Sequence, residues 1–214
     1  MHGYLGSCNE SSYLYISLSL ISGGQIRLDL KIIKTSAVFC NKIWQLVRYL
    51  HLAKRRSRCQ STPLENIKMP TASSSRLENL WILSQCGHTV NQVNCALEAR
   101  SFHLVTRALR EFMYHSLCDI YVEASKTVLN DPSHPEFEET LSTLYVAVTT
   151  GLKLMHPLMP FITEELYQRI QVEFKGGHIA PSIMQETFPE YHNEVVSSLT
   201  HFSATLILMF LISF

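Results

Sequence analysis

The chain has 214 residues, of which 46% are hydrophobic and 17% charged. This composition can form a hydrophobic core and excludes general disorder, and the length fits one large domain or a smaller one with irregular ends. Eighteen lysines and arginines balance eighteen acids, which on its face argues against a nucleic-acid partner. The balance hides two segments of opposite charge: residues 27–58 carry nine cations against the single Asp29, and residues 119–194 carry twelve acids against four cations. A chain of this kind can present a basic surface to a polyanion.

The cysteines and the two ends predict an intracellular protein. Six cysteines lie far apart without a C-x-x-C pair, which suits reduced thiols better than disulfides or a zinc knuckle. No basic flank precedes the apolar residues near the N-terminus, so we expect no signal peptide. The apolar tail Thr205–Phe214 has about half the length that spans a bilayer, so we expect no membrane partner. We expect a cytoplasmic protein, with a mitochondrial one as the alternative.

The first half of the chain predicts two helices joined by a linker. Residues 1–24 show no steady period and predict an irregular segment. Apolar residues then recur every three or four positions and predict a helix over about 31–53. A charged stretch containing serine and proline, residues 54–75, is typical of a linker. A second helical pattern covers about 77–97.

The second half predicts three more helices. The longest covers about 102–129, and its width of apolar surface indicates a position between neighbouring helices. Ser133 and Glu136 fit a capping box that would start the next helix, which runs to about Met155. The stripe of the long helix consists of Val105, Leu109, Phe112, Ser116, Ile120, Ala124 and Val128, and it is widened by Leu117, Cys118 and Tyr121.

Two prolines in the stretch MHPLMPFITEELYQRI predict a corner between helices. Pro157 cannot continue a helix and disfavours helical geometry at His156, whereas Pro160 is suited to open the next one. Glu164 and Glu165 would then lie in a first turn, and Arg169 can pair with Glu165. After Phe174 the pattern indicates a loop. No β-rich region is present, so the sequence predicts an all-α antiparallel bundle over residues 25–192, with a divergent apolar tail over 193–214.

The sequence offers no set of catalytic or metal-binding residues. His115, Asp119 and Glu123 share one helical face, but bundle metal sites draw a matching E-x-x-H from a second helix, and the sequence has none. A polar, partly solvated stripe is the simpler interpretation. There is no G-x-S-x-G elbow and no glycine-rich phosphate loop after a strand. We therefore predict no catalytic residue, no metal and no cofactor for this chain.

The basic segment of residues 42–58 is the most informative part of the chain. Cations and aromatic rings alternate along a predicted helix and its exit, which is how single-stranded RNA is often bound. The alternative is a solvated helix with a flexible basic exit and a core tryptophan. The residues are Lys42, Trp44, Arg48, Tyr49, Lys54, Arg55 and Arg56.

Four sequence blocks together resemble the anticodon-binding helical bundle of the class I valyl-tRNA synthetases. In chain order they are FCNKIW (39–44), LWILSQ (80–85), LCDIYVEASKTVL (117–129) and MHPLMPFITEELYQRI (155–170). The segment GGQIRLD at residues 23–29 resembles the join that precedes this bundle, although the usual Arg-Asp after the first glycine is Gly24-Gln25 here. The resemblance covers about residues 21–192.

The motifs of the catalytic half of that family are missing. Met1-His2-Gly3-Tyr4 is not an HIGH motif, and KMPTAS at residues 68–73 follows the first bundle helix, whereas a KMSKS loop precedes the bundle. The resemblance therefore implies a truncated tRNA-binding module without ATP, Mg²⁺ or valine chemistry, which belong to the whole enzyme.

The resemblance implies tRNA, specifically valine isoacceptors, as the partner. Asn41, Lys42, Trp44 and Arg48 are our candidates for the anticodon loop, and Trp44 is the residue best suited to packing on the bundle. A protein–protein interaction module with a basic face is the alternative function, and self-association through exposed apolar surface is expected in either case. The candidates for nearby phosphates are Lys54, Arg55, Arg56 and Arg58.

Overall fold

The computed structural model describes residues 30–57, 76–175 and 181–190, and these residues form five helices and no strand. The all-α prediction is confirmed. The predicted irregular segment 1–24, the linker from residue 58 onwards, the KMPTAS segment and the tail lie outside the described residues. Four helices are α1 (Leu30–Arg56), α2 (Leu77–Glu98), α4 (Phe137–Met155) and α5 (Pro160–Lys175); α3 consists of the consecutive segments Phe102–Arg110, Glu111–Tyr121 and Val122–Leu129. A short 3₁₀ turn, Ile183–Gln185, follows.

The middle segment of α3, Glu111–Tyr121, is π-helical. Its i→i+5 hydrogen bonds widen the turn, so the apolar register moves by one residue. Tyr121 is 1% exposed, whereas Ile120 is 45% exposed. The prediction that Ile120 belongs to the apolar stripe is therefore wrong, because it assumed an uninterrupted α-helical period.

Helix α4 forms the centre of the bundle. Thirteen of its nineteen residues are buried, and it contacts α1, α2, α3 and α5. A Cβ on Gly151 would overlap the sulfur of Met113, so glycine at this position lets α4 approach the π-helical segment closely. Three residues connect α2 to α3, and four connect α4 to α5. Connections this short make consecutive helices antiparallel neighbours.

A buried hydrogen-bond network joins α2, α3 and α4. The Tyr121 hydroxyl donates to Asn79 Oδ1 at 2.8 Å, and Asn79 Nδ2 donates to Thr140 Oγ1 at 3.5 Å. Burial raises the pKa of Tyr121, so the phenol stays protonated and donates. Each polar group of the network is a partner of another, which is the condition under which polar side chains are tolerated in a core.

The start of α4 differs from the predicted capping box. The helix begins at Phe137 with Glu136 at the N-cap position, and no side-chain cap bond is present. The preceding turn uses other groups: Asp131 Oδ1 accepts from the Ser133 backbone N–H at 2.9 Å, and His134 Nδ1 accepts from the Glu136 backbone N–H at 3.2 Å. The capping-box prediction is wrong because the turn satisfies these donors itself.

The corner predicted from the two prolines is present. Helix α4 ends at Met155 and α5 begins at Pro160. His156 nevertheless keeps right-handed helical geometry, with φ −56° and ψ −42°, so the expected effect of the next proline on its backbone is absent. The chain leaves the helix through the tighter bonds His156 N to Lys153 O and Leu158 N to Met155 O. The missing N–H of Pro157 is consistent with this ending.

Glu164 has a different function from the predicted one. The first turn of α5 contains no acid, and Glu164 accepts hydrogen bonds from Ser182 Oγ at 2.8 Å and from the Ile183 backbone N–H. Lys153 pairs with Glu186 at 3.0 Å. The segment 181–190 is therefore attached to α5 and α4 through charged side chains.

Candidate nucleic-acid interface

Helix α1 has one buried face and one exposed face. Phe39, Ile43 and Leu50 are 0–1% exposed and belong to the core. The exposed residues recur at steps of three and four, which places them on one stripe of the helix. At 1.5 Å per residue, the stripe spans about 21 Å from its first polar residue to its last. We call it the α1 stripe: Val38, Asn41, Gln45, Arg48, Leu52 and Arg55.

Four of the predicted RNA-binding residues lie on or beside this stripe. Asn41, Arg48, Arg55 and Arg56 are exposed. Among the residues that the structure describes, no ion pair is formed by Arg48. The Arg55 side chain is 67% exposed, and its Nε lies 3.2 Å from Glu173 Oε1 of α5. Arg56 Nη1 donates to Asn130 Oδ1 at 2.9 Å, so Arg55 contacts α5 and the adjacent Arg56 contacts the residue that follows α3.

Lys42 lies at the border between α1 and the π-helical segment. Its ammonium pairs with Asp119 and lies 3.3 Å from the centroid of the Tyr114 ring. Partial burial acts to lower the pKa of Lys42, but the hydrogen bond and the charge of Asp119 outweigh it and raise the pKa above its ordinary value. Lys42 is therefore charged and attached to α3, with 26% of its side chain exposed.

Lys54 does not lie on this surface. The residue is 3% exposed, and its ammonium lies 5.7 Å from the centroid of the Phe174 ring, under the cover of α5. The expectation that Lys54 contacts phosphate does not agree with this position, because the residue follows Val47 and Leu50 on the buried face. Arg58 lies outside the described residues.

Trp44 is half-buried beside the stripe and packs against the core. The Arg169 guanidinium of α5 lies over its indole, with its carbon 5.0 Å from the ring centroid. Arg169 Nε also donates to Glu165 Oε1 at 2.7 Å, which confirms the predicted pair. Sequence analysis missed Arg169 as part of this surface, because no local pattern relates residues 125 positions apart.

The predicted polar stripe of α3 takes part in ion pairs. His115 Nδ1 lies 3.4 Å from Asp119 Oδ2, and Glu123 pairs with Lys126 at 2.6 Å.

In the described ranges, no group of three or more potential ligands is close enough to hold a metal ion. Within the same ranges, no helix combines the length and apolarity that a membrane span needs. The four described cysteines, at positions 40, 86, 95 and 118, are free thiols.

Comparison with known proteins identifies the family. A model of the anticodon-binding domain of tRNA ligase matches residues 79–208, which is more than half of the chain. The chain belongs to this family. The match begins inside α2, so the helix that carries the α1 stripe lies before it.

Curated relatives match a larger share of the chain than the family model does. Valine–tRNA ligase of Caenorhabditis elegans is 33% identical over 207 residues, which is 94% of this chain and 19% of the relative. The mitochondrial valine–tRNA ligase of Sus scrofa is 35% identical over 173 residues, 81% of this chain and 15% of the relative. Valine–tRNA ligase of Legionella pneumophila (strain Lens) is 35% identical over 188 residues, 86% of this chain and 19% of the relative. This member of the anticodon-binding domain family thus spans about a fifth of the length of these relatives.

Proposed function

We propose that the chain is the tRNA anticodon-binding module of a valine–tRNA ligase and that it binds valine isoacceptors through the α1 stripe. The membership in the anticodon-binding domain family carries this proposal. The similarity to valine–tRNA ligases along nearly the whole chain supports the choice of amino acid. We do not assign ligase activity to this chain, because its similarity covers only a small part of the ligases.

The chemistry of the stripe supports RNA as the ligand. Exposed guanidinium groups suit phosphate because they are planar, permanently charged and able to form two parallel hydrogen bonds. Asn41 and Gln45 bring amides to the same stripe, and amides can donate to and accept from base edges. A single-stranded loop exposes those edges, whereas a duplex hides them in a deep groove. The arrangement therefore suits an unpaired loop of a folded RNA.

The ion pairs of the surface predict a moderate affinity. Lys42, Arg55 and Arg169 each pair with a carboxylate of a neighbouring element or turn. A phosphate must compete with these carboxylates, so we expect each of these three cations to contribute less than Arg48. Exposed ion pairs are each worth about 0–1 kcal/mol, so the competition weakens binding without preventing it.

A salt titration with two tRNAs tests the proposal. The full chain is titrated with a valine tRNA and with the same tRNA carrying a different anticodon loop. We expect the chain to bind the valine tRNA at least tenfold more tightly. The slope of log K against log salt should be about −3, for the four cations Lys42, Arg48, Arg55 and Arg169. Equal binding of both tRNAs and of heparin would reject the proposal and favour the alternative, a protein-binding module with a basic face.

The cellular location and the self-association of the chain are two further proposals. We propose a cytoplasmic location. A Sus scrofa relative is named as mitochondrial, so the mitochondrion is the alternative. Localising the tagged chain distinguishes the two compartments.

Self-association stays a prediction, and exposed side chains such as Phe161 at 60% and Met184 at 77% motivate it. Light scattering of the full chain measures it, and a monomer at high concentration contradicts it.

A further inference from the structure

The contact between Trp44 and Arg169 joins the α1 stripe to α5. The indole comes from α1 and the guanidinium from α5, and the guanidinium carbon lies 5.0 Å from the ring centroid. The same guanidinium receives a second restraint from Glu165, one turn earlier on α5. The two contacts, one with the indole and one with a carboxylate, restrain an arginine side chain that would otherwise sample many rotamers.

Exposure makes this fixed guanidinium accessible. The side chains of Arg169 and Glu165 are each 41% exposed. Gln45 and Arg48, which follow Trp44 at one and four positions, are exposed on the α1 stripe. A nucleobase that lies on Arg169 would therefore have an amide and a second guanidinium within one helical turn of the indole.

We propose that Arg169, held by Trp44 and Glu165, is the platform on which one unpaired base of the bound RNA loop stacks. This inference rests on the proposed function and adds a second helix to the RNA-binding surface. Bases of single-stranded RNA stack on arginine planes as well as on aromatic rings. The indole behind the guanidinium continues the stack as a cation–π contact, while Arg48 contacts the adjoining phosphate and Gln45 faces the base edge.

The geometry favours this role for Arg169 over phosphate binding. A phosphate that approaches Arg169 meets the nearby carboxylate of Glu165, 2.7 Å from its Nε. A neutral base meets no such repulsion, because stacking uses the face of the guanidinium and the ion pair uses its edge. Charge alone thus makes Arg169 a weak phosphate contact, and its plane makes it a good stacking partner.

The test uses a valine-anticodon stem-loop that carries 2-aminopurine at one unpaired loop position at a time. In the free loop this base stacks on its neighbours, which quenches its fluorescence. A base that leaves them to lie on a guanidinium, which does not quench, becomes brighter. We expect the full wild-type chain to brighten one position strongly, and Arg169→Ala and Arg169→Lys both to lose that increase. Their affinity should fall about tenfold, the loss that about 1.4 kcal/mol of stacking gives. Arg107→Ala, which removes an exposed arginine of α3, should change neither quantity.

The lysine variant separates stacking from charge. Lysine keeps the positive charge beside Glu165 but has no plane, so its salt slope should equal that of the wild type. A lysine variant with the wild-type fluorescence increase and wild-type affinity overturns the inference. If the alanine variant melts at a lower temperature, the lysine variant decides the outcome.

Failure of the inference and failure of the proposed function give different results. If Arg48→Ala weakens binding and both Arg169 variants show the affinity and the fluorescence increase of the wild type, the platform is wrong and the RNA-binding surface remains. If the wild-type chain does not bind the stem-loop, the proposed function and the platform both fail.

Discussion

The two faces of α1 differ in what their side chains contact. On the buried face, Phe39, Ile43 and Leu50 pack against the bundle, so their identity decides whether α1 docks. On the α1 stripe, Asn41, Gln45 and Arg48 face solvent, so they can change with little effect on folding. The difference teaches that stability and ligand choice are encoded at interleaved positions of one helix. Substitutions at adjacent residues can therefore separate them.

The largest expected effect comes from the buried face. Phe39→Ala should lower the free energy of unfolding by about 3–5 kcal/mol, because it removes a ring that is 1% exposed and leaves a cavity. The neighbouring Val38 is 56% exposed, and Val38→Ala should stay within about 0.5 kcal/mol. Urea unfolding of both variants measures the difference. Equal losses at the two positions would show that α1 is not docked as described.

The next largest effect is a loss of tRNA binding with no change in the stability of the fold. Arg48→Ala should weaken tRNA binding about tenfold and make the slope of log K against log salt about 0.7 less negative, because one phosphate contact is lost. Its melting temperature should stay at the wild-type value. Arg107→Ala is the matched control, since it removes the same charge from an exposed position on α3. A large loss of affinity in the control would contradict a localised surface.

A change on α5 that breaks its attachment to the segment 181–190 should lower stability without changing tRNA binding. Burial acts to raise the pKa of Glu164, but hydrogen bonds from Gln168, Ser182 and the Ile183 backbone outweigh it and lower the pKa. The ionised group therefore stabilises the fold above its unfolded pKa of about 4.3, and this contribution disappears as the pH falls through the folded value.

We expect Glu164→Gln to lose about 1 kcal/mol of stability at pH 7, and this loss to shrink as the pH falls below the unfolded pKa of about 4.3. Its tRNA affinity should be unchanged. Urea unfolding across this pH range measures the first quantity and a tRNA titration the second. A difference that persists undiminished at low pH would contradict the function assigned to this carboxylate.

The smallest expected effect is a gain in affinity for tRNA. Asp119→Asn removes the carboxylate that pairs with Lys42, so the ammonium can turn to phosphate. Affinity for tRNA should rise about two- to fivefold, since an exposed ion pair competes with about 0.5–1 kcal/mol. Glu123→Gln removes an equal charge that pairs with Lys126 and serves as the control. An equal rise in both variants would indicate a general charge effect.

The sequence predicted the helices because periodicity and proline placement are local signals. The helix predicted at about 102–129 matches α3 at both ends, and Pro157 and Pro160 mark the corner. It did not predict the exposure of Ile120, since a π-helical segment changes the period without a local sign. The cap of α4 was misassigned because Asp131 and His134 supply the bonds that the motif assigns to Ser133 and Glu136.

The candidate site was predicted only in part, for two reasons. The burial of Lys54 agrees with its spacing to Val47 and Leu50, which places it on the buried face despite its charge. The contact of Arg169 with Trp44 could not be inferred, because it depends on how α5 lies against α1. Ion pairs such as Lys42–Asp119 are tertiary in the same way.

Site-specific photocrosslinking measures most directly whether the α1 stripe binds RNA. A photoreactive residue replaces Gln45 on the stripe in one variant and Glu98, exposed at the end of α2, in another. With valine tRNA, the variant at position 45 should crosslink to the anticodon loop, and the variant at position 98 should give little product. Crosslinks from position 98 alone, or none to the anticodon loop from position 45, would contradict the account.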